Sequence, residues 1–162
     1  MMKKITKHIL IIFALYGMSF LSGCGNDGGA IRTEINGVFY EARILSANCF
    51  ALNSFAVEPV SDLECTVSFA SRTGYADSLH FRVNNIQPIY NSGIGVWLPI
   101  FAAPFQDVSV TLQGQIQIID GGSIRFNRIS NYPGEDICAD IEWVTRYGQI
   151  DGYFCAPVQG GY

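Results

Sequence analysis

The stretch 137-ICADIEWVTRYGQIDGYFCAPV-158 contains two runs of alternating apolar and polar residues on either side of a polar turn. Alternation with a period of two predicts β-strands that bury one face. A turn over 145–148 places Val144 opposite Gln149 and so predicts an antiparallel hairpin. Four pairs then share the apolar face: Ile137/Ala156, Ala139/Phe154, Ile141/Gly152 and Trp143/Ile150.

This register also determines where the cysteines of the hairpin lie. It is set by the apolar face alone, yet it puts Cys138 directly opposite Cys155 on the other face. The Cβ atoms of such a pair lie ~4.5–5.5 Å apart, whereas a disulfide needs ~3.5–4.5 Å. A slight closure at a narrow, non-hydrogen-bonded pair meets that need. We therefore predict a Cys138–Cys155 disulfide.

The rest of the chain after Ala30 repeats short alternating segments separated by turn residues, such as the Asn36-Gly37 turn. We expect a further hairpin with its loop at Asp120-Gly121-Gly122. That hairpin would place Ile118 opposite Ile124 and Ile116 opposite Phe126. About eight to ten such strands without a helical crossover predict a single all-β domain, an antiparallel β-sandwich or a related barrel.

The first 24 residues have the layout of a secretory signal. Three lysines precede an apolar run over 9–20, which ends in Leu21-Ser22-Gly23-Cys24. The run is too short for a membrane-spanning helix. Residues 21–24 resemble the lipobox of bacterial lipoproteins. This resemblance implies that residues 1–23 are a signal peptide, that cleavage makes Cys24 the first residue, and that its thiol and amino terminus are acylated.

Cysteine usage is typical of an exported protein. Once Cys24 carries the lipid, four of the five cysteines remain, and subtraction pairs Cys49 with Cys65. Disulfides persist in oxidising, extracytoplasmic compartments. The sequence has no CxxC motif, and His80 is the one histidine after Cys24, so a structural zinc site is not expected.

Removal of the leader divides the chain into a lipidated Gly-rich tether, residues 24–30, and a β-sandwich domain, residues 31–162. The six residues after Cys24 reach roughly 15–20 Å at about 3.3 Å per residue, which keeps the domain near the bilayer. The lipoprotein resemblance also implies an extracytoplasmic, membrane-anchored location. Gly25, instead of the aspartate linked to inner-membrane retention in enteric lipoproteins, favours the outer membrane where a cell has one.

The mature chain is strongly acidic. Three of the ten basic residues are leader lysines, which leaves seven arginines and 14 acids, a net charge of 7 − 14 = −7. A domain of this charge, without a basic stripe, is not expected to bind nucleic acid. It also has no basic surface for anionic head groups, so membrane attachment depends on the lipid.

Three acids on the outward face of the final hairpin are weak candidates for chemistry: Asp140, Glu142 and Asp151. Calcium prefers several carboxylate oxygens, and a carboxylate pair is what a glycoside hydrolase uses. The chain has no Asp-x-Asp-x-Asp loop, however, and an open sheet face does not raise the pKa of an acid. A solvated face neutralised by Arg125, Arg128 or Arg146 is therefore favoured.

His80 is predicted on the outward face of the strand over 79–83, as a surface histidine. The chain has no Gly-x-Ser-x-Gly elbow, and the four mature cysteines other than Cys24 are all expected to pair. The sequence therefore contains no catalytic motif and predicts neither an enzyme nor a cofactor.

The stretch 83–106 holds no charged residue and is rich in aromatic residues and proline. Because Pro99 and Pro104 interrupt any long central strand, 96–100 is predicted as a short or edge strand followed by a loop. Its aromatics either close one end of the sandwich or form an exposed rim for a partner, a glycan or the lipid surface. The candidate binding residues are Tyr90, Trp97, Phe101 and Phe105.

Two short motifs are similar to the first and last strands of uncharacterised small all-β lipoproteins of bacterial envelopes. They are Asn36-Gly37-x-x-Tyr40-x-Ala42 and Gly148-x-Ile150-x-Gly152-x-Phe154-x-Ala156. The resemblance implies no activity. The sequence thus predicts a membrane-anchored envelope lipoprotein that acts as a non-enzymatic binding or structural module, with an envelope protein or glycan as partner. The alternative is a calcium-dependent or glycan-binding module, or a hydrolase that uses the acidic face.

Overall fold

The computed structural model describes residues 29–52, 61–70, 74, 76–130 and 132–160. The predicted signal peptide, Cys24 and residues 25–28 of the tether lie outside this part of the chain. The described residues form ten strands with a short π-helical turn, Ile89–Gly93, between the fourth and fifth. The strands are β1 (Ala30–Ile35), β2 (Val38–Ala51), β3 (Leu63–Ala70), β4 (Ala76–Val83), β5 (Trp97–Pro99), β6 (Phe105–Leu112), β7 (Gln115–Gln117), β8 (Ile119–Arg128), β9 (Asp136–Thr145) and β10 (Gly148–Gly160).

The ten strands form one sheet in the order β5-β8-β9-β10-β1-β2-β3-β4-β6-β7. Neighbouring strands in this order are antiparallel, and the end of β10 adds a parallel pairing with the end of β2. The 14-residue strand β2 belongs to both halves of the sheet, because its first part pairs with β1 and its second part with β3. We call β5-β8-β9-β10-β1 the first half-sheet and β3-β4-β6-β7 the second.

The two half-sheets face each other across an aromatic core. Phe81 of the second half-sheet contacts three rings of the first, with centroid distances of 6.4 Å to Phe126, 6.3 Å to Trp143 and 6.1 Å to Phe154. All four side chains are at most 1% exposed. Packing of two sheet faces on one apolar core is the sandwich architecture that the alternating pattern predicts.

The final hairpin has the predicted register. Val144 pairs with Gln149, and the pairing continues to Ile137 opposite Ala156. Cys138 lies opposite Cys155 and is joined to it by a disulfide, with the Cα atoms 4.1 Å apart. This short distance is typical of a narrow, non-hydrogen-bonded pair.

The second predicted disulfide is also present. Cys49 of β2 pairs directly with Cys65 of β3, and the two are bonded with a Cα separation of 4.2 Å. Each disulfide therefore joins neighbouring antiparallel strands, one in each half of the sheet.

The expected hairpin at Asp120-Gly121-Gly122 is wrong. These residues lie inside strand β8, where Gly122 pairs with Trp143, and the turn falls earlier, at Gln113-Gly114. Ile118 and Ile116 therefore do not pair with Ile124 and Phe126. The physical reason is close packing: a Cβ on Gly122 would lie 2.7 Å from the Cα of Trp143, so this glycine permits a strand contact instead of a turn.

Candidate surface: the Trp97 face

The outward side of the first half-sheet contains two rows of residues in direct cross-strand register. The first row runs Trp97, Arg125, Asp140, Tyr153, Ala30 and Arg43. The second row runs Pro99, Ser123, Glu142, Asp151, Arg32 and Glu41. We call these twelve residues the Trp97 face. The residues between the two rows, including Ile124, Ile141 and Ile31, point into the core.

Strand pairing thus brings together two groups of residues that are separate in the sequence. Trp97 comes from the uncharged stretch 83–106, and the three acids come from the final hairpin. The link between them is strand β8, because β8 lies between β5 and β9 and contributes Arg125. The predicted edge strand in 96–100 is confirmed as β5, which among the described strands pairs only with β8.

Arg125 is the central residue of the first row. Its guanidinium carbon lies 4.7 Å from the centroid of the Trp97 ring, a cation–π distance. Its Nε and Nη2 also donate hydrogen bonds to Oδ2 of Asp140, at 2.9 and 2.6 Å. Asn127 Nδ2 donates to the same oxygen at 2.9 Å. Arg125 therefore fixes an indole ring and a carboxylate relative to each other.

The other two acids have different surroundings. Asp151 pairs with Arg32, whose Nη2 lies 2.9 Å and whose Nε lies 3.1 Å from its Oδ2. The side chain of Glu142 is exposed and makes no hydrogen bond or ion pair with the described residues. Within the part of the chain that the structure describes, no group of three or more His, Cys, Asp or Glu side chains could hold a metal ion. Asp140 and Asp151 thus each bind an arginine instead of sharing one centre.

The face forms a shallow, open depression of about 610 Å³. Trp97 and Arg125 line one side, and Tyr153 lies at the other. Gly29 and Ala30, where the described chain enters the domain, also line it. An open surface with aromatic rings and ion-paired polar groups suits contact with a partner better than the enclosure of a reacting substrate.

The other candidate aromatics lie elsewhere. Tyr90 and Phe101 are 41% and 66% exposed, so they remain surface residues. Phe105 is 7% exposed and stacks on Phe126 in the core, with the ring centroids 6.3 Å apart. Its assignment to an exposed rim is therefore wrong. The sequence did not show whether Phe105 is buried or exposed, because the segment around it has no clear alternation to separate inward from outward residues.

His80 lies on the outer side of the second half-sheet, away from the Trp97 face. Its Nδ1 is 3.2 Å from Oγ1 of Thr66, and its Nε2 is 3.8 Å from Oε1 of Glu64. These contacts follow from cross-strand pairing of β3 with β4, since Thr66 is the register partner of His80. The arrangement is that of a surface histidine held by its neighbours.

The hairpin register predicted from the sequence already places Tyr153 opposite Asp140. Sequence reasoning missed Arg32 and Arg43, which join the face through the pairing of β1 with β10 and with β2. It also missed a second depression, of about 460 Å³, at one end of the sandwich. That depression is lined by residues of both halves, among them Thr33 and Asp77, and Asp77 Oδ1 accepts a hydrogen bond from the Gln113 amide at 2.6 Å.

Comparison with protein-family models, with curated proteins and with solved structures gives no match for this chain. Among the described residues, no helix has the length and apolar character needed to span a bilayer. The function is therefore inferred from the sequence and from the geometry of the Trp97 face.

Proposed function

We propose that this protein is a lipid-anchored, extracytoplasmic envelope protein, attached through Cys24, whose sandwich domain is a non-enzymatic contact module. The Trp97 face is its contact surface. The leader ending in Leu21-Ser22-Gly23-Cys24 supports export and lipidation. The two disulfides support an oxidising compartment, where such bonds persist.

The observation that carries the choice of contact over catalysis is the triple hydrogen bonding of Asp140 Oδ2. This oxygen accepts three hydrogen bonds from Arg125 and Asn127, so it is held in place and directed at the protein instead of at a bound substrate. A glycoside hydrolase needs one carboxyl group that can donate a proton across a substrate cleft. The Trp97 face instead offers an open surface of fixed aromatic and charged groups, which favours binding.

Lipid labelling in a bacterial host that processes lipoproteins tests the anchor. The full chain should incorporate labelled palmitate and sediment with membranes. Cys24→Ala should lose both properties, because no thiol remains at the acylation position. Ser22→Ala is the matched control, since it keeps a small residue in the lipobox and should be labelled like the parent. Equal labelling of Cys24→Ala and the parent would refute the proposal.

A further inference from the structure

We propose that in the lipid-anchored protein the Trp97 face lies against the headgroup layer of the membrane that holds Cys24. This inference rests on the proposed function, because it takes Cys24 as the anchor. It assigns the partner of the face, which is the bilayer surface itself.

The chain enters the domain beside the Trp97 face. At Gly29 the backbone has a φ of +74°, and an added Cβ would lie 1.8 Å from the carbonyl oxygen of Tyr153. Beyond the start of β1, strands β10 and β2 pair directly at 158–160 and 49–51, which closes the sheet in that direction. The inner side is filled by core residues such as Ile31. The entry point therefore opens onto the Trp97 face, whose depression Gly29 lines.

The chain between the anchor and the entry point is short. Five residue steps separate Cys24 from Gly29, a reach of about 17 Å when fully extended. From β1 to the sheet edge at β5 there are four strand spacings, about 19 Å. From the level of Gly29 to the end of β10 there are about six residues, about 20 Å. The tether is too short to pass round the domain, so the outer side of the second half-sheet cannot face the bilayer.

The Trp97 face is nearly neutral, unlike the rest of the mature chain. The Trp97 face carries three arginines and four acids, a net charge of −1, whereas the whole mature chain carries −7. Of the remaining −6, Asp27 of the tether carries −1, and −5 lies elsewhere on the domain. Since bacterial and other biological bilayers present anionic head groups, the near-neutral face is the side that they repel least. Trp97 and Tyr153 add amphipathic rings of the kind enriched at membrane–water interfaces.

The two tryptophans of the chain allow a direct test. Trp143 is 0% exposed in the core, whereas Trp97 is partly exposed on the face, so a contact quencher in the lipid reports on Trp97. The mature chain from Cys24 is coupled to a maleimide-bearing phospholipid, because Cys24 is the thiol that the two disulfides leave free. The lipidated protein is then bound to vesicles that contain phosphatidylcholine with a nitroxide spin label on its head group, with unlabelled vesicles as reference.

We expect the headgroup-labelled lipid to remove up to half of the tryptophan emission, the share of one of two tryptophans. The matched control carries Trp97→Phe together with Gln106→Trp, which moves the reporter to the outer side of the second half-sheet, where Gln106 pairs with Arg82. Its emission should be unchanged. A second control inserts about 20 Gly/Ser residues after Gly25, which extends the tether to about 25 Å r.m.s. and should reduce the quenching of Trp97.

Quenching of the Gln106→Trp reporter equal to that of Trp97 would overturn the proposal, as would unquenched Trp97 in protein that sediments with the vesicles. If the Trp97 emission is unchanged by the headgroup-labelled lipid but changes with added peptidoglycan fragments, the face is assigned to a glycan, which overturns the proposal too. Chemical lipidation makes these outcomes independent of cellular acylation. Failure of the palmitate labelling would therefore refute the proposed function, and it can be told apart from a failure of the quenching experiment.

Discussion

Replacing Phe81 by alanine tests whether the two half-sheets are held together by one packed core. Phe81 is 1% exposed and touches aromatic rings of both halves, including Phe105 in its own half and Phe154 in the other. Its ring lies at the centre of the aromatic cluster that joins the halves. Its removal should therefore weaken the contact between the halves without changing any strand pairing.

The expected loss follows from burial and from the cavity left behind. Full burial of a phenylalanine side chain contributes about 1.5–3 kcal/mol, and a Phe→Ala change in a core costs about 3–5 kcal/mol once the cavity is included. Small domains have a total free energy of unfolding of about 5–15 kcal/mol. With a loss of about 4 kcal/mol and a urea slope of about 2 kcal/mol/M, the unfolding midpoint should fall by about 2 M.

Urea unfolding with the disulfides intact measures this change, monitored by the emission of the buried Trp143. Phe101→Ala is the matched control, because its ring is 66% exposed and should alter the free energy of unfolding by no more than about 0.5 kcal/mol. A loss below about 1 kcal/mol for Phe81→Ala, or equal losses for the two variants, would refute the packing argument.

Two further predictions concern strand pairing. Replacing Cys138 and Cys155 together by serine should cost about 3 kcal/mol, because the disulfide closes a loop with a sequence separation of 17. Thermal unfolding measures this cost, and an unchanged Tm would contradict it. Gly148→Ala should lose at least about 1 kcal/mol more than Gly95→Ala in urea unfolding. A Cβ on Gly148 would lie 1.9 Å from the Glu34 carbonyl oxygen, whereas one on Gly95 meets nothing within 4 Å; equal losses would exclude this close approach.

Local pattern was most informative where two strands follow each other in the chain. In the final hairpin the turn at 145–148 fixes the register, and alternation fixes which residues are buried, so the two together place Cys138 opposite Cys155. The same reasoning failed around Gly121, because three polar or small residues satisfy a turn and a closely packed strand equally well. Contact of Gly122 with Trp143 decided between them.

Pattern was least informative about the candidate surface. Phe105 and Trp97 lie in the same uncharged stretch, yet one packs on Phe126 in the core and the other lies under Arg125. Their difference comes from the face of the strand that each side chain occupies, which is outward for Trp97 on β5 and inward for Phe105 on β6. The uncharged stretch has no clear alternation to indicate that choice, which the pairing of β5 with β8 and of β6 with β4 decides.

The sequence by itself determined the all-β class, the final hairpin and both disulfides, and it predicts the lipid anchor. These depend on alternation, turn chemistry and the pairing of consecutive strands, which are local properties of the chain. The tertiary structure alone decided that Trp97 and Arg125 join Asp140 and Tyr153 in one row beside the entry point at Gly29. That row requires β5 beside β8 and β1 beside β10, pairings between distant segments that are selected by the fit of the shared core.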